Sequence, residues 1–298
     1  MVSRITTAMM SSQVLANTQE TLRRMATYQE QLSSGKKVNQ VSDDPSAAKS
    51  AMGYRSELKA DAKYLDNIQK ALSFMGASDS TFSEMSNTID QVKQLAIQGA
   101  NGSQDAASRR ALATSVDSLL TRMVDLANTE QDGRFVFAGT ATQTKPFQVA
   151  SDRSRVDYIG NLDTFEVKIG ASASVAVNQN GYDLFKGTND IFSALVTLRD
   201  ALTSNDAQTI SGLVSTIDGI HNQVNNLQGG MGGRVSRLEL TQSQLENAKV
   251  FLGSLISQAE DVDLPDTISK MQLTQVALEA GLQAGAKSLQ PSLLDFLR

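Results

Sequence analysis

The feature that most constrains the fold is a repeat of residues in steps of three and four that recurs over most of the chain. In the N-terminal half it follows three tracts, which end near Gly35, Gly99 and Leu126. Such spacing places one stripe of side chains along a helix and, when sustained, predicts helices that pair as a coiled coil. The tracts are Leu15, Thr18, Leu22, Met25, Gln29 and Leu32; Leu65, Ile68, Leu72, Met75, Asp79, Phe82, Ser86 and Ile89; and Leu112, Val116, Leu119, Met123 and Leu126.

The same spacing returns in the C-terminal half in two further tracts. The first is interrupted by "GGMGG" at residues 229 to 233. Because glycine destabilises a helix interior, this run predicts a hinge or a break between two helices. The tracts are Val224, Leu227, Met231, Arg234, Leu238, Thr241, Leu245, Ala248, Leu252, Leu255 and Ala259; and Ile268, Met271, Gln275, Leu278, Leu282, Gly285 and Leu289.

The segment between the two helical halves has a different pattern. Eight of the fifteen aromatic residues lie between residues 134 and 192, and Phe135 and Phe137 alternate with smaller residues. The runs "RVDYIG", "TFEVKIG" and "ASVAVNQNGYDLF" are strand-like, and "NQNGY" is typical of a turn. These features predict a separate small β-rich domain.

Together the patterns predict a mainly α fold with a small β insertion, arranged as a long antiparallel helical rod or coiled coil. The two chain ends, residues 1–42 and 264–298, would form paired terminal helices. Residues 43–133 and 191–263 would form a helical rod domain. Residues 134–190 would form a β-rich outer domain at the far tip.

Two adjacent carboxylates, Asp43 and Asp44, precede Pro45 in the stretch "SDDPSAAKSAM". A hard cation would need several converging oxygen ligands, which the neighbouring Pro, Ser and Ala residues do not supply. A helix start explains the same residues, with Asp44 as N-cap and Pro45 at the first helical position. The run "DLPDTISKM" repeats this pattern with Pro265 and Asp266, so we predict helix starts at both places.

Patterns typical of catalysis or cofactor binding are missing from the sequence. The chain has no Cys, and His221 is its single histidine. The "GGMGG" run lacks the Lys-Ser/Thr ending of a phosphate-binding loop. We therefore predict no catalytic residues, no metal site and no cofactor, with His221 exposed or packed on a helix.

Charge and hydropathy argue against two further classes of partner. The net charge is -5, and Lys and Arg do not cluster as nucleic-acid binding requires. Apolar runs fall well short of the roughly 20 residues of a membrane span, and the N-terminal stretch has no signal-peptide core. We therefore expect no nucleic acid and no membrane as partners, and export without a cleaved signal peptide if the protein is secreted.

The two terminal helices cannot be stable alone, because burying one stripe of about six apolar side chains recovers less free energy than ordering about 25 residues costs. Pairing them would still expose outer faces that carry Val14, Leu273, Val276, Ala277 and Ala280. Stable order therefore calls for neighbours on several sides, as in a symmetric assembly. We predict an assembly interface at Leu15, Leu22, Met25, Leu32, Ile268, Met271, Leu278, Leu282 and Leu289.

Four motifs give the chain a resemblance to the flagellin superfamily over essentially its whole length: "QLSSGKKVNQVSDDPSAAKSAM", "NTEQDGRFVFAGTATQTKPF", "GGRVSRLE" and "SLLDFLR". Filament flagellins usually have a form like "SADDAAG" in place of "SDDPSAA" and lack "GRFVFAGT". The chain therefore resembles, within the superfamily, the subunits that join hook to filament. The motif residues are Ser42, Asp43, Asp44, Pro45, Arg134, Phe135 and Gly139.

The resemblance implies a non-catalytic structural subunit of the bacterial flagellum at the junction between hook and filament. It implies type III export with a chaperone and an extracellular position between the hook-side junction protein and flagellin, with copies of itself forming a ring. In the family the paired terminal helices form the inner layer of the tube and the insertion faces outward. Two alternatives remain open: a filament flagellin subunit, and a cell-surface binding module that uses the β insertion.

Overall fold

The heptad-like repeats of the sequence correspond to long helices in the computed structural model of the chain. It describes the backbone of residues 7 to 289 and the side chains of residues 9 to 287. The helices are α1 (Thr7–Ser34), α2 (Pro45–Ala100), α3 (Ala106–Ala127), α4 (Gly181–Phe185), α5 (Ile191–Ser204), α6 (Ala207–Glu260) and α7 (Leu264–Leu289). The strands are β1 (Glu130–Gln131), β2 (Arg134–Phe135), β3 (Phe147–Val149), β4 (Val156–Tyr158), β5 (Glu166–Lys168) and β6 (Ser174–Ala176). A mainly α fold with a small β-containing segment is thus confirmed.

The chain divides into two compact units. We call the first the terminal unit; it contains the described residues up to Ala60 and from Ala248 onward. The second, the central unit, contains Asp61–Asn247. The long helices α2 and α6 contribute residues to both units, and the three domain boundaries expected from the sequence stay predictions.

One hydrophobic core in the central unit continues from the helices into the strand-bearing segment. The ring of Phe137 meets that of Phe82 on α2 edge to face, with centroids 6.5 Å apart, and Phe147 lies 5.4 Å from Phe192 on α5. Phe185 contacts both Phe137 and Phe147, and all five rings are fully buried. Aromatic pairs at these separations add to the free energy of area burial, so this cluster holds the strands to the helices.

The strands form three separate antiparallel pairs, β1–β2, β3–β4 and β5–β6. Strands β4, β5 and β6 lie within the three predicted strand-like runs, but two details of the prediction were wrong. Strand β2 ends at Phe135, and the chain from Val136 to Gly139 is continuously buried, because it turns into the aromatic core instead of continuing an alternating strand. In "NQNGY", Asn180 caps α4 by accepting from the Tyr182 backbone N–H at 2.8 Å, so this run begins a helix.

The motif "GRFVFAGT" ends in a tight contact between Gly139 and Asn161. Gly139 has a φ of +69°, and a Cβ there would lie 2.1 Å from the Asn161 Oδ1 and 2.4 Å from its backbone O. The Asn161 Oδ1 accepts from the Thr140 N–H at 2.7 Å, and the Tyr158 hydroxyl donates to the Asn161 O at 2.7 Å. Burial raises the pKa of Tyr158 to about 12, so its hydroxyl remains protonated and able to donate. Only glycine fits at position 139.

In α2, about half of the positions in the predicted heptad-like repeat are buried. Ile68, Met75, Phe82 and Ile89 are buried as predicted, whereas Asp79 is exposed and accepts from the Gln228 amide at 2.9 Å. The intervening core positions are one residue earlier than predicted, at Ala71, Ser78 and Met85 in place of Leu72, Asp79 and Ser86. Small Ala and Ser side chains allow the neighbouring helices to approach closely, while Leu72 packs at the edge of the core.

The repeat predicted for helix α3 is also only partly correct, because two of its five positions are fully buried. Val116 and Met123 are buried, while Leu112, Leu119 and Leu126 are half-buried against the core. The remaining core positions on this helix are taken by other residues: Arg109, Ala113, Leu120, Val124 and Ala127.

Helix α6 is continuous from Ala207 to Glu260, so the predicted hinge at "GGMGG" was wrong. Met231 in that run is 1% exposed, and a Cβ on any of the four glycines would meet no heavy atom within 4 Å. Burial of Met231, together with Val224 and Leu238, offsets the helix-weakening effect of the glycines. All eleven residues of the predicted α6 repeat are buried or half-buried, and His221 is half-buried on the same helix.

A buried cation connects two turns of the central unit. Arg109 is 6% exposed and donates to the Gly99 O at 2.8 Å, the Asn101 O at 3.1 Å and the Asn205 Oδ1 at 2.5 Å. Asn205 has a φ of +60° at the end of α5. The connection between α2 and α3 is therefore held to the one between α5 and α6.

We predict that Gly139→Ala destabilises the central unit far more than Gly133→Ala. Gly133 also has a positive φ, +72°, but a Cβ there meets nothing within 4 Å, so its substitution costs about 1 kcal/mol of backbone strain. At Gly139 the clash with Asn161 adds about 1–3 kcal/mol. Urea unfolding of both variants measures the difference, and equal losses would contradict the assigned contact.

Candidate assembly surface

Helices α1 and α7 form an antiparallel pair within the terminal unit. Val14 lies beside Gly285, where a Cβ would come within 2.7 Å of the Val14 Cγ1. At the other end, Lys36 just after α1 pairs with Asp261 just before α7 in a β-bridge. The predicted pairing of the terminal helices is therefore present within one chain.

The least exposed side chains of this pair are mostly small or polar. Thr18 and Thr21 on α1 and Thr274 on α7 donate their hydroxyls to the carbonyl four residues earlier, at 2.7 to 2.8 Å, so they bring no unpaired polar group into the contact. Small side chains permit close approach of the two backbones. The least exposed positions are Ser11, Val14, Thr18, Thr21, Met25, Tyr28 and Leu32 on α1, and Thr267, Met271, Thr274, Leu278, Gly281 and Gly285 on α7.

The predicted interface residues divide into two groups. Met25, Leu32, Met271 and Leu278 are half-buried in the pair, whereas four others remain 45 to 60% exposed. The assembly interface at these positions stays a prediction. The placement of Val14 on the outer face was wrong, because Val14 lies in the close contact beside Gly285. The exposed four are Leu15, Leu22, Ile268 and Leu282, and the side chain of Leu289 lies outside the described residues.

Helix α7 also carries apolar residues on the side that faces away from α1. Leu273 and Val276 are 68% and 63% exposed, and Ala277 and Ala280 beside them are exposed as predicted. A helix that is apolar on several sides is normally buried on several sides. We call Leu15, Leu22, Ile268, Leu273, Val276 and Leu282 the exposed apolar set.

A buried carboxylate holds the turn after α1 to the end of α6. Glu260 is 7% exposed, and its Oε2 accepts from the Lys36 Nζ at 3.0 Å and from the Arg55 guanidinium at 2.5 Å. Two backbone bonds flank it: the Lys37 N–H donates to the Glu260 O at 2.7 Å, and the Val262 N–H donates to the Gly35 O at 3.1 Å. This cluster fixes where the turn meets the helix end.

The carboxylates of "SDDPSAA" serve as backbone acceptors. The Asp43 Oδ2 accepts from the N–H groups of Asn39 and Gln40 at 3.0 and 2.8 Å, closing the turn before α2. The Asp44 Oδ1 accepts from the N–H groups of Ser46 and Ala47 at 3.0 and 2.9 Å. The predicted N-cap at Asp44, with Pro45 as the first helical residue, is therefore confirmed, and Ser42 lies exposed in the same turn.

The start of α7 uses the same chemistry. Asp263 accepts from the Asp266 N–H at 3.1 Å, and its carbonyl accepts from the Thr267 N–H at 2.9 Å. Asp266 lies in the first turn as predicted, where its negative charge favours the helix dipole, and Pro265 precedes it.

Among the residues that the structure describes, no three His, Cys, Asp or Glu side chains are grouped so as to hold a metal ion. Among the helices that the structure describes, none is both long enough and apolar enough to cross a membrane. The motif residues Arg134 and Phe135 form strand β2 and belong to the central unit.

Sequence reasoning missed Glu260, which neighbours in space two cations more than 200 residues away in sequence. A lone glutamate after a long helical repeat gives no sign of burial. The small residues of the contact could be predicted in part, since Thr18 belongs to the predicted tract. Choosing large apolar side chains, however, placed Leu15 and Leu22 in the predicted stripe, although both are exposed.

Comparison with known proteins gives the class of this chain. The family model for the bacterial flagellin N-terminal helical region matches residues 5–142, and the one for the C-terminal helical region matches residues 214–297. The chain belongs to the flagellin family. The motifs "SDDPSAA" and "GRFVFAGT" lie within the N-terminal match.

Within the family, the chain is similar to the flagellar hook-associated protein 3 of Escherichia coli, with 25% identity over 94% of this chain and 95% of that protein. It is also similar to a flagellin of Listeria monocytogenes, with 29% identity over 90% of this chain and 92% of that protein. The fold is similar to that of a putative flagellar hook-associated protein from Vibrio parahaemolyticus, with a TM-score of 0.68, 21% identity, and coverage of 74% of this chain and 100% of that one.

We predict that Glu260→Gln loosens the turn after α1, because it replaces the negatively charged carboxylate that faces Lys36 and Arg55 with a neutral amide. Hydrogen bonds to a charged group contribute about 1.5–3 kcal/mol, so the backbone amides of Lys37 and Val262 should exchange with solvent roughly 10- to 100-fold faster. Hydrogen exchange measures this change. The control is Glu279→Gln, an exposed residue on α7, and equal exchange in the two variants would contradict a holding role for Glu260.

Proposed function

We propose that this protein is a structural subunit of the bacterial flagellum that joins the hook to the filament and assembles through its terminal helices. The proposal is supported by the similarity to hook-associated protein 3 along nearly the whole chain and by the hook-associated fold. The observation that carries the assembly mechanism is that α7 remains apolar on the side that α1 does not cover.

The exposed apolar set gives this assembly its driving force. Burying a Leu-sized side chain stabilises by about 1.5–3 kcal/mol, and the six residues are 45 to 68% exposed. Burying the exposed part of these six side chains would stabilise the assembly by roughly 5–10 kcal/mol per subunit. Copies of this chain and the adjoining subunits on either side would supply the covering surface. In this proposal copies of the chain form a ring, with the hook-side junction protein below and flagellin above, and these neighbours cover the outer side chains.

The filament subunit itself is the alternative, since a flagellin is among the relatives. Sequence identity does not separate the two roles. The junction role is favoured by Pro45 in "SDDPSAA" and by "GRFVFAGT", whose Gly139–Asn161 contact is a built feature of the central unit. The roles differ in what they build, because flagellin forms long homopolymers and a junction subunit adds a short ring.

Position in the flagellum also defines the expected route. We expect an extracellular subunit that passes through the type III apparatus, is guarded by an export chaperone and is secreted without a cleaved signal peptide. Apolar terminal helices that gain most of their burial on assembly suit export in a partly folded state followed by ordering at the growing tip.

We predict that Leu273→Asp blocks incorporation into the flagellum without unfolding the monomer. A carboxylate there stays solvated in the free subunit but would be buried unpaired in the assembly. Leu162→Asp is the matched control, since Leu162 is 61% exposed in the strand-bearing segment. Circular dichroism reports the fold, and electron microscopy of cells that carry each variant as their only copy reports incorporation; normal filaments with Leu273→Asp would defeat the proposed surface.

Leu278→Asp separates pairing from assembly. Leu278 is half-buried against α1, so its substitution should lower the stability of the free monomer by about 2–4 kcal/mol as well as block incorporation. Thermal unfolding of the purified protein measures the first effect. A monomer as stable as that with Leu273→Asp would show that Leu278 does not support the α1–α7 pair.

We further expect cells that lack this protein to carry hooks without filaments and to release flagellin into the medium. Electron microscopy and analysis of the culture supernatant test this result. Hooks that still bear filaments of normal length would overturn the junction role, and loss of the filament protein itself would establish the flagellin alternative.

A further inference from the structure

The connection between α2 and α3 contains the sequence Asn101–Gly102–Ser103 in an exposed turn. The Asn101 Oδ1 accepts two hydrogen bonds from Ser103, one from its backbone N–H and one from its hydroxyl, each at 3.1 Å. Gly102 is exposed and a Cβ there would meet nothing within 4 Å, so no neighbouring side chain crowds this residue. The side-chain amide of Asn101 is thus polarised at its oxygen and accessible at its carbon.

These bonds match what intramolecular deamidation requires. The Gly102 nitrogen loses its proton to water and attacks the Asn101 Cγ, forming a tetrahedral centre whose negative charge lies on the former Oδ1. Two donors aimed at that oxygen stabilise the charge as it develops. The Cγ–Nδ2 bond then breaks, ammonia leaves, and a five-membered succinimide joins the Asn101 side chain to the Gly102 nitrogen.

The second step is directed by Arg109. Water opens the succinimide at either carbonyl, restoring a normal peptide bond with an aspartate side chain or giving isoaspartate with a free α-carboxylate. The Arg109 guanidinium donates to the Asn101 backbone O at 3.1 Å, which polarises that carbonyl toward water. Opening there places the new carboxylate on a cation that is 6% exposed and otherwise bonded to neutral oxygens of Gly99 and Asn205.

From this geometry we propose that Asn101 is a site of spontaneous modification, which Ser103 accelerates and which Arg109 directs toward isoaspartate. The proposal is independent of the flagellar role. It follows from contacts inside the central unit, and its products are one added negative charge and one added backbone carbon in the α2–α3 connection.

The chain carries an internal control in Asn180–Gly181. Asn180 accepts one hydrogen bond, from the Tyr182 N–H at 2.8 Å, and Gly181 is the first residue of α4. Gly181 is buried, and a Cβ there would lie 2.3 Å from the Phe137 O. Ring closure would move this packed backbone, so the same dipeptide should be protected by the fold.

The test incubates the full-length protein in mildly alkaline buffer, folded or in urea, followed by peptide mapping with mass spectrometry and isoaspartate-specific methylation. In the folded protein we expect Asn101 to react about tenfold faster than Asn180, or more, and this ratio to approach unity in urea. We also expect a larger isoaspartate share at Asn101 in the folded protein than in urea. Equal rates at the two sites when folded, or equal isoaspartate shares in both conditions, would overturn the corresponding step.

Variants at Ser103 test the acceleration without touching the buried cation. Ser103→Ala removes the hydroxyl donor and should slow the reaction at Asn101 about 2- to 10-fold, while Ser103→Thr restores a hydroxyl and the rate. The rate at Asn180 in the same samples should not change. A Ser103→Ala protein that deamidates at the original rate would show that the hydroxyl has no part in the reaction.

Discussion

The close contact between α1 and α7 depends on small side chains, and much of the terminal unit follows from it. Thr18, Thr21 and Thr274 return their hydroxyls to their own helices, and Gly285 leaves room for Val14, so these three hydroxyls bring no unpaired donor into the contact. Small residues occupy much of the seam beside Met25, Leu32, Met271 and Leu278, and other large apolar side chains, such as Leu15 and Leu22, stand outside it. A pair built on interlocking leucines would have buried the surface through which we propose that the subunit assembles.

Register in that pair is set at its closed end. Glu260 gathers Lys36 and Arg55, and the flanking backbone bonds from Lys37 and Val262 place the turn after α1 against the end of α6. A buried carboxylate with two donors tolerates little displacement, because a shift that lost either cation would leave charge in a desolvated place. Sliding α7 by one turn against α1 would break these contacts, so the exposed apolar set is presented in a single arrangement.

From the sequence, the helices, their boundaries and their capping residues could be predicted better than which of their side chains are buried. Gly35 and Pro45 mark helix boundaries by local backbone physics, and the Asp44 cap needs only neighbours within three residues, so these were predictable. The buried faces of α1 and α2 were not predictable, because hydrophobicity alone selects Leu15 over Val14 and Leu72 over Ala71, whereas close packing of the helices selects the smaller side chain. Met231 shows the converse, since its burial, together with that of Val224 and Leu238, offsets four glycines that locally predict a break. Glu260 could not be found at all, as its partners are distant in sequence.

The two units solve the problem of burial in different ways. Phe82, Phe137, Phe147, Phe185 and Phe192 close the core of the central unit within one chain, and Gly139 and Arg109 secure its turns. The terminal unit keeps Leu273 and Val276 largely exposed although its register is fixed. In the proposed assembly this apolar and uncovered surface gains free energy from another chain, and the polar and ionic contacts of the terminal unit position it. The buried charges of the described residues, Glu260 in the terminal unit and Arg109 in the central unit, each hold turns in place.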